Sequence, residues 1–524
     1  MMNNLKLLLG IFVFGLSVDK GLTIAAENLT TEEQLEHMNV LFIMADNQPA
    51  SLLGAYGNPD VRTPNIDQLA SEGVLFTNAF AVNGMCSPTR ATLMTGLMPS
   101  QHGVHDWLDD AKLDEWPEDW SVVEEYRTLP QTLENRGYQT AMIGKWHLGQ
   151  PWQSSLGYQH WVTFTYGHTL DFWDNTIVDN GQTYQITDQH IVDFFAGKAV
   201  DYISSVDQNQ PFYLQLNFDG PYLNPPTNTG PARNRYYKSY LGEDFDSFPR
   251  VPVNENILEQ LIDPDIPAFM RGNHRQSILH HNDPESMANV ASQNTIVDDG
   301  VGRVLSALEE AGLHENTLVI YSSDQGNFYG QHGLWQHTIV TTPSNLYEAA
   351  LNIPLIIRHP NIVPGETNEL LIGQYDLPMT ILDYIGIEDV NFENSPGKSF
   401  ANMLLGESIN WDNEVYYEQE ESRGVRTSDF AYWKRIESLG ESELYDMASD
   451  PGQNFNLITD SNYQDIAAEL DRKVIDFYNI YSTEKYDLWK GGTAKGSVAR
   501  PSVFQGLYGD QWQTVSESLP PFEE

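Results

Sequence analysis

The apolar positions of this chain gather into short unbroken runs, each stopped by polar or glycine-rich residues. Asn39 to Met44 reads Asn-Val-Leu-Phe-Ile-Met and closes on Ala45-Asp46-Asn47-Gln48. A run of this length without alternation marks a parallel strand buried on both faces, and its polar end should face a site. Thr317 to Ser323 repeats the design, closes on Asp324-Gln325-Gly326, and follows helical periodicity over Val297 to Ala311. Thr140 to Ile143, Phe212 to Leu216 and Pro354 to Ile357 are further strand-like runs, while Pro64 to Gly73 and Leu129 to Gly137 read as helices stopped by glycine. The alternation predicts an α/β fold, a large doubly wound mixed sheet flanked by helices, in which ligands collect where strands end. The two acidic strand ends therefore mark one candidate site.

Periodicity fails from about Gly220 to His281, a stretch rich in Pro, Asn, Arg and Tyr. It reads as an insertion over the site, the kind of segment that sets substrate choice. Beyond about Gly386 the strand-helix alternation gives way to Glu414 to Glu418, Phe430 to Lys434 and a helix near Tyr463 to Tyr481, which predict a smaller α+β C-terminal domain. The expected organisation is a leader over 1–26, a catalytic domain over 37–386 with its insertion near 220–281, and a C-terminal domain over 387–524. The leader rests on an apolar stretch from Leu7 to Val18, too short for a stable span, followed by small residues at Ala25 and Ala26. It reads as a signal peptide, so the product is expected to be exported, periplasmic or secreted, with no membrane span in the mature chain.

With 73 acidic against 28 basic residues the formal net charge is −45, which argues against nucleic acid and anionic lipid as partners. The single cysteine, Cys86, rules out an internal disulfide. A lone cysteine is ordinarily a small buried hydrophobe, but this one opens Cys86-Ser87-Pro88-Thr89-Arg90, followed by Thr95-Gly96. Arg90 lies one helical turn on, a fixed cation facing the same way. Gly144-Lys145-Trp146-His147-Leu148-Gly149 follows an apolar strand, and its alternating Lys145 and His147 point to one face. Asp46-Asn47 and Asp324-Gln325 supply four oxygen-bearing side chains of the type hard cations require, with helix capping as the plainer alternative. No Cys and His cluster suggests zinc.

Together these motifs resemble those of the type I sulfatase family, formylglycine-dependent members of the alkaline phosphatase superfamily, and they do so in the family's order from Val40 to about Tyr481. The resemblance implies the alkaline-phosphatase-like sulfatase fold and oxidation of Cys86 to 3-oxoalanine (formylglycine) by a formylglycine-generating or anaerobic sulfatase-maturating enzyme. It implies one Ca2+ held by Asp46, Asn47, Asp324 and Gln325 together with Cys86 itself, although amides at both second positions leave Mg2+ open. Lys145 becomes a cation on the sulfate, His147 a partner of the formylglycine diol and Arg90 a holder of charge. Two departures stand out. Gly330-Gln331-His332-Gly333-Leu334-Trp335-Gln336-His337 is similar to the family's loop, yet His337 stands where a lysine is usual. Gly220-Pro221-Tyr222 carries Tyr222 where a histidine is common, with His281 and Asn282 as candidates for the missing contact. His332 reads as a brace for its loop, and Glu443-Leu444-Tyr445-Asp446 resembles the family's domain-ending segment. The implied activity is hydrolysis of O-sulfate esters on a sulfated carbohydrate, an algal poly- or oligosaccharide. A phosphonate or phosphodiester hydrolase on the same scaffold, or a catalytically silent sulfated-glycan binder, remain alternatives.

Overall fold

In β1 (Asn39–Asp46) successive side chains serve two different cores. Val40, Phe42 and Met44 pack with one set of buried residues and Leu41, Ile43 and Ala45 with another. Both faces of the strand are covered, which is why its sequence is continuously apolar rather than alternating. The computed structural model describes residues 38–169, 171–222, 233–263, 266 and 268–515. The expected leader over 1–26 and Leu223 to Pro226 lie outside the described residues.

Further strands follow as β2 (Val74–Phe80), β3 (Gln139–Gly144), β4 (His160–Phe164), β5 (Asn175–Asp179), β6 (Gln182–Ile186), β7 (Phe212–Pro221) and β8 (Thr317–Ser323). A short pair, β9 (Phe328–Tyr329) and β10 (Trp335–Gln336), precedes β11 (Asn352–Arg358) and β12 (Glu366–Gly373). The main sheet has ten strands in the order β12-β2-β11-β8-β1-β7-β3-β4-β5-β6. β1 lies between β7 and β8, parallel to both, and β3 runs parallel to β7. β11 is antiparallel to β8 and β2, and β5 antiparallel to β4 and β6, so the sheet is mixed. Four adjacent parallel strands, β8, β1, β7 and β3, thus deliver their carboxyl ends to one place.

The helix Pro284–Glu310 lies against β7, contributing Ile296, Val297, Val301 and Val304 to the core on one side. It is longer than the periodic stretch that announces it, because Asp283 caps it at Ser286 and buried Ser, Asn and Gln fill its first turns. The segment read as irregular contains two helices, Glu255–Gln260 and Ala268–His280. The second escapes a periodicity search because Arg271, Asn273, His274, Arg275 and Gln276 make its sequence polar on most faces.

The remaining strands, β13 (Glu414–Gln419), β14 (Ser422–Thr427), β15 (Phe430–Arg435) and β16 (Glu443–Asp446), form an antiparallel sheet of four. The helix Gln464–Ile480 buries Leu470, Val474 and Tyr478 against Val425, Tyr432 and Leu444, each buried aliphatic contributing about 1.5–3 kcal/mol. This smaller sheet also braces the segment before Cys86. Glu418 donates its N–H to the Val82 carbonyl at 2.8 Å, and its own carbonyl accepts from Asn83 Nδ2 at 2.7 Å.

Candidate active site

Asn83 begins the local structure that carries Cys86, its Oδ1 accepting the Met85 N–H at 2.9 Å. The helix Cys86–Thr95 starts on Cys86 itself and stops at Gly96 with φ 68°. Pro88 costs nothing in its first turn, where no intrahelical partner exists for an N–H. Every residue of this helix is buried, so the thiol and, four residues on, the Arg90 guanidinium project into the interior from one helix face.

Around Cys86 Sγ (residue 3% exposed) stand Gln325 Nε2 at 3.2 Å, Lys145 Nζ at 3.3 Å, Asp46 Oδ1 at 3.5 Å and Asn47 Oδ1 at 3.9 Å. Asp46 ends β1, Asp324 follows β8, and Lys145 follows β3 through Gly144. Gly144 takes φ 116°, and a Cβ there would sit 1.8 Å from the Asn217 carbonyl oxygen. Only glycine permits the turn that sends Lys145 inward.

Arg90 donates from Nε and Nη2 to one Asp324 oxygen at 3.1 and 2.8 Å, and from Nη1 to the Lys145 carbonyl at 2.9 Å. Lys145 Nζ donates to Asp46 Oδ2 at 2.6 Å and lies 3.6 Å from Asp219 Oδ1. Burial alone would push the Lys145 amine down, but Asp46, Cys86 and Asp219 outweigh it and hold the amine well above its usual range. Burial raises Asp46 above the usual carboxylate range against the pull of Lys145, and burial with Asp46 raises Asp324 to about 6. Burial also drives the Cys86 thiol strongly upward despite Lys145. An unmodified Cys86 is therefore a neutral thiol, a poor nucleophile and a poor metal ligand.

The strand-end side chains fit a hard divalent cation. Asp46, Cys86 and Asp324 each offer an atom within 4.8 Å of the others. The Gln325 carbonyl faces both Asp324 oxygens at 3.0 and 3.3 Å, a contact of acceptor on acceptor that either a turned amide or a cation between them relieves. Asn47 Oδ1 meets the Gln325 amide, and Asn47 Nδ2 is buried without a hydrogen bond. Asn47 itself takes φ 62°, left-handed backbone that asparagine tolerates better than most residues.

Above Cys86 opens a cavity of about 280 Å3, on whose wall His147, Tyr222 and His337 appear. His147 takes φ 59°, Tyr222 φ 22° and Gln336 φ 140°, strain of the kind that collects where function fixes the backbone. His147 Nε2 donates to the Leu108 carbonyl at 2.9 Å, and Nδ1 is buried without a hydrogen bond. Burial, then Lys145, lowers it far below the usual range for imidazole, so it presents a neutral ring with a free lone pair. The Tyr222 ring lies 4.8 Å from Lys145 Nζ.

His337 pairs through Nδ1 with Asn327 Oδ1 at 3.1 Å. In that arrangement Nδ1 carries the proton and Nε2 the lone pair, and turning the Asn327 amide over exchanges them. Burial, then Lys145, lowers His337 to about 4, which leaves a neutral ring at neutral pH.

His281 is not brought to the cavity wall. It lies in the turn after Ala268–His280, where its Nε2 holds the Val251 carbonyl at 2.7 Å. His332 stacks on Tyr347 with ring centroids 3.7 Å apart, bracing its loop. Three positions escaped the sequence. Asp219 lies near the end of β7 as Asp46 ends β1, a signal hidden by Gln215 and Asn217 within an otherwise apolar run. His168, stacked on Tyr222 with centroids 5.6 Å apart, and His274, on the helix Ala268–His280, both line the cavity and belong to no recognisable motif.

With this geometry in hand, comparisons with known proteins converge. A family model described as Sulfatase matches residues 38–387, and one described as N-sulphoglucosamine sulphohydrolase, C-terminal, matches residues 330–479. An N-acetylglucosamine-6-O-sulfatase of Bacteroides thetaiotaomicron is 26% identical over 501 residues, covering 84% of this chain and 86% of its own. An ulvan-active sulfatase of Formosa agariphila is 26% identical over 475 residues, covering 85% and 82%. A solved structure described as a complex with its substrate D-glucosamine-2-N,6-O-disulfate shares 25% identity at a TM-score of 0.66, covering 86% of this chain and 99% of the other.

Proposed function

The chain belongs to the sulfatase family and is a sulfuric ester hydrolase, and from that premise we propose that it removes O-sulfate from a sulfated carbohydrate through an oxidised Cys86 and a bound Ca2+. The observation that carries this reading is the placement of Cys86. Its sulfur sits on the cavity floor within 3.5 Å of both Lys145 and Asp46, yet as a thiol it is held protonated and inert. Oxidation to formylglycine by a maturating enzyme supplies a hydrated aldehyde there, with one hydroxyl to attack sulfur and a second through which sulfate is expelled. Ca2+, held by Asp46, Asn47, Asp324 and Gln325, supplies positive charge against the nonbridging sulfate oxygens.

The chain's own residues do the rest. Lys145, fixed by Asp46 and Asp219, directs its remaining charge at the reacting centre, and Arg90, fixed by Asp324, holds the helix end and its field in place. His147, its tautomer set by Leu108, accepts the nucleophile's proton at Nδ1. His337 assists the departing sugar oxygen as a neutral group beside Tyr222. Similarity to an ulvan-active sulfatase and the acidity of the chain support an algal polysaccharide as the source of substrate, and the apolar Leu7 to Val18 supports export to periplasm or medium.

The test is mass analysis of the Cys86 peptide after co-expression with a maturating enzyme, alongside inorganic sulfate release from an aryl sulfate. We expect the aldehyde form and turnover, both absent in Cys86→Ala, which should remain folded. Full turnover by Cys86→Ala would remove the nucleophile assignment.

A further inference from the structure

The sugar end of the cavity differs in charge from the sulfate end. Every formal charge at the sulfate end is engaged, Lys145 by Asp46 and Asp219 and Arg90 by Asp324. Among the described residues, those lining the cavity above include no lysine, arginine, aspartate or glutamate. Its polar groups are instead the imidazoles of His168, His274 and His337 with the amides of Asn273 and Gln336, and its apolar surface comes from Trp107, Met85 and Met270. Such groups donate to and accept from hydroxyls, and an indole face suits the C–H face of a sugar ring. His274 is buried and turns one ring nitrogen toward the Val340 backbone, without a full hydrogen bond from either nitrogen. The other nitrogen is left for a partner, on the insertion helix that covers the site.

We infer that the sulfated residue of the substrate is an uncharged sugar bearing one sulfate, excluding a uronate carboxylate or a second sulfate from the same ring, and that His274 reads its hydroxyls. This rests on the sulfatase reading above and narrows its substrate class. An additional buried anion without a cationic partner loses its hydration uncompensated. The charges that reach the wall do not pair a further anion. Lys145, the strongest of them at His168 and His337, is already held by Asp46 and Asp219, and behind it Asp109 and Asp324 act against an anion. Arg500, the cation that acts on His274, is buried and already held by Glu421 and the Thr341 carbonyl. Burial lowers His168, His274 and His337 to about 4, so the imidazoles bring no charge at neutral pH. At about 280 Å3 the cavity lies at the small end of the range for ligand sites, consistent with one ring.

The experiment uses matured full-length protein whose turnover of an aryl sulfate has first been shown, so a failed sulfatase reading is recognised before any sugar is tried. Galactose and N-acetylglucosamine monosulfates are then compared with glucuronate monosulfate and with glucosamine carrying N- and 6-O-sulfate. Affinity is read in parallel by calorimetry on Cys86→Ala, so a slow chemical step does not obscure binding. We expect the uncharged monosulfates to be favoured at least tenfold in kcat/KM, or in affinity where turnover is undetectable. His274→Ala should raise KM for the sugar sulfate with little change for the aryl sulfate. His274→Arg should shift the preference at least tenfold toward the doubly charged sugars. Equal or better use of the uronate or the disulfate by the unaltered protein overturns the inference, as does a preference left unmoved by His274→Arg.

Discussion

At the scale of single residues, the proposed mechanism gives His337 the task of assisting the leaving oxygen. Its titration is displaced to about 4 by burial and Lys145, so between about pH 5.5 and about pH 8 it does not change charge. The ratio of rates on an unactivated sugar sulfate and an activated aryl sulfate should therefore be flat across that window. A step in that ratio near pH 6.5 would show a charged imidazole at work. His337→Ala should slow the sugar sulfate by about 10²–10⁴-fold, the usual range for lost general acid-base help, and the aryl sulfate much less. Equal losses on both would assign the histidine to structure alone. The sequence made His337 visible only because a loop motif fixed its position, and it could not show the charge state, which depends on burial and on a lysine 192 positions earlier.

At the scale of elements, the site is what four parallel strand ends leave behind. Chelation should lower activity, and Asp46→Ala or Asp324→Ala should do more damage than Asn47→Ala or Gln325→Ala, with restored activity on adding Ca2+ as the readout. Asp324→Ala also strands Arg90, whose guanidinium is 1% exposed, and breaking a buried pair costs about 3–5 kcal/mol. A chelated, demonstrably metal-free protein with full turnover would remove the Ca2+ assignment. Gly144→Ala forces a Cβ onto the Asn217 carbonyl in a backbone that disfavours any side chain, so it should cost more than about 2 kcal/mol by denaturant unfolding and displace Lys145. Unchanged stability and rate would contradict the turn as the device that aims the lysine. β1, β8 and their acidic ends were legible because an apolar run buried on both faces has no other simple explanation. The helix Ala268–His280 was not, since its polar positions face the cavity and neighbouring loops, where an apolar stripe is not required.

At the scale of the whole molecule, burial sets the acid limit of the fold. His168, His190, His274, His332, His337 and His359 titrate at about 3 to about 4 in the folded state, burial being the first cause in each. Below about pH 6.5 the unfolded chain takes up protons that these folded histidines refuse, so their contribution is complete above that pH and is lost as pH falls toward 4. Asp298, Asp324 and Asp376, raised to about 6 to about 7, and Asp46, Asp106, Glu348 and Glu420, raised by burial, act in the opposite sense, but burial also lowers His102, His105, His147, His160 and His280, so the histidines outnumber them. Tm should therefore fall between about pH 6.5 and about pH 4, and a rising Tm over that interval would refute the balance. The burial of Cys86 carries a different consequence, one of timing. Cys86 and Gln325, which meet at 3.2 Å, are 239 residues apart in sequence, so β8 cannot close over the helix Cys86–Thr95 until that much more chain has been made. At 5–20 residues per second this leaves an interval of about 10–50 s. If Cys86 is oxidised by a maturating enzyme as proposed, that enzyme must grip the segment before folding closes over it. The active fraction of a preparation would then record how that race ended and would be indifferent to later incubation.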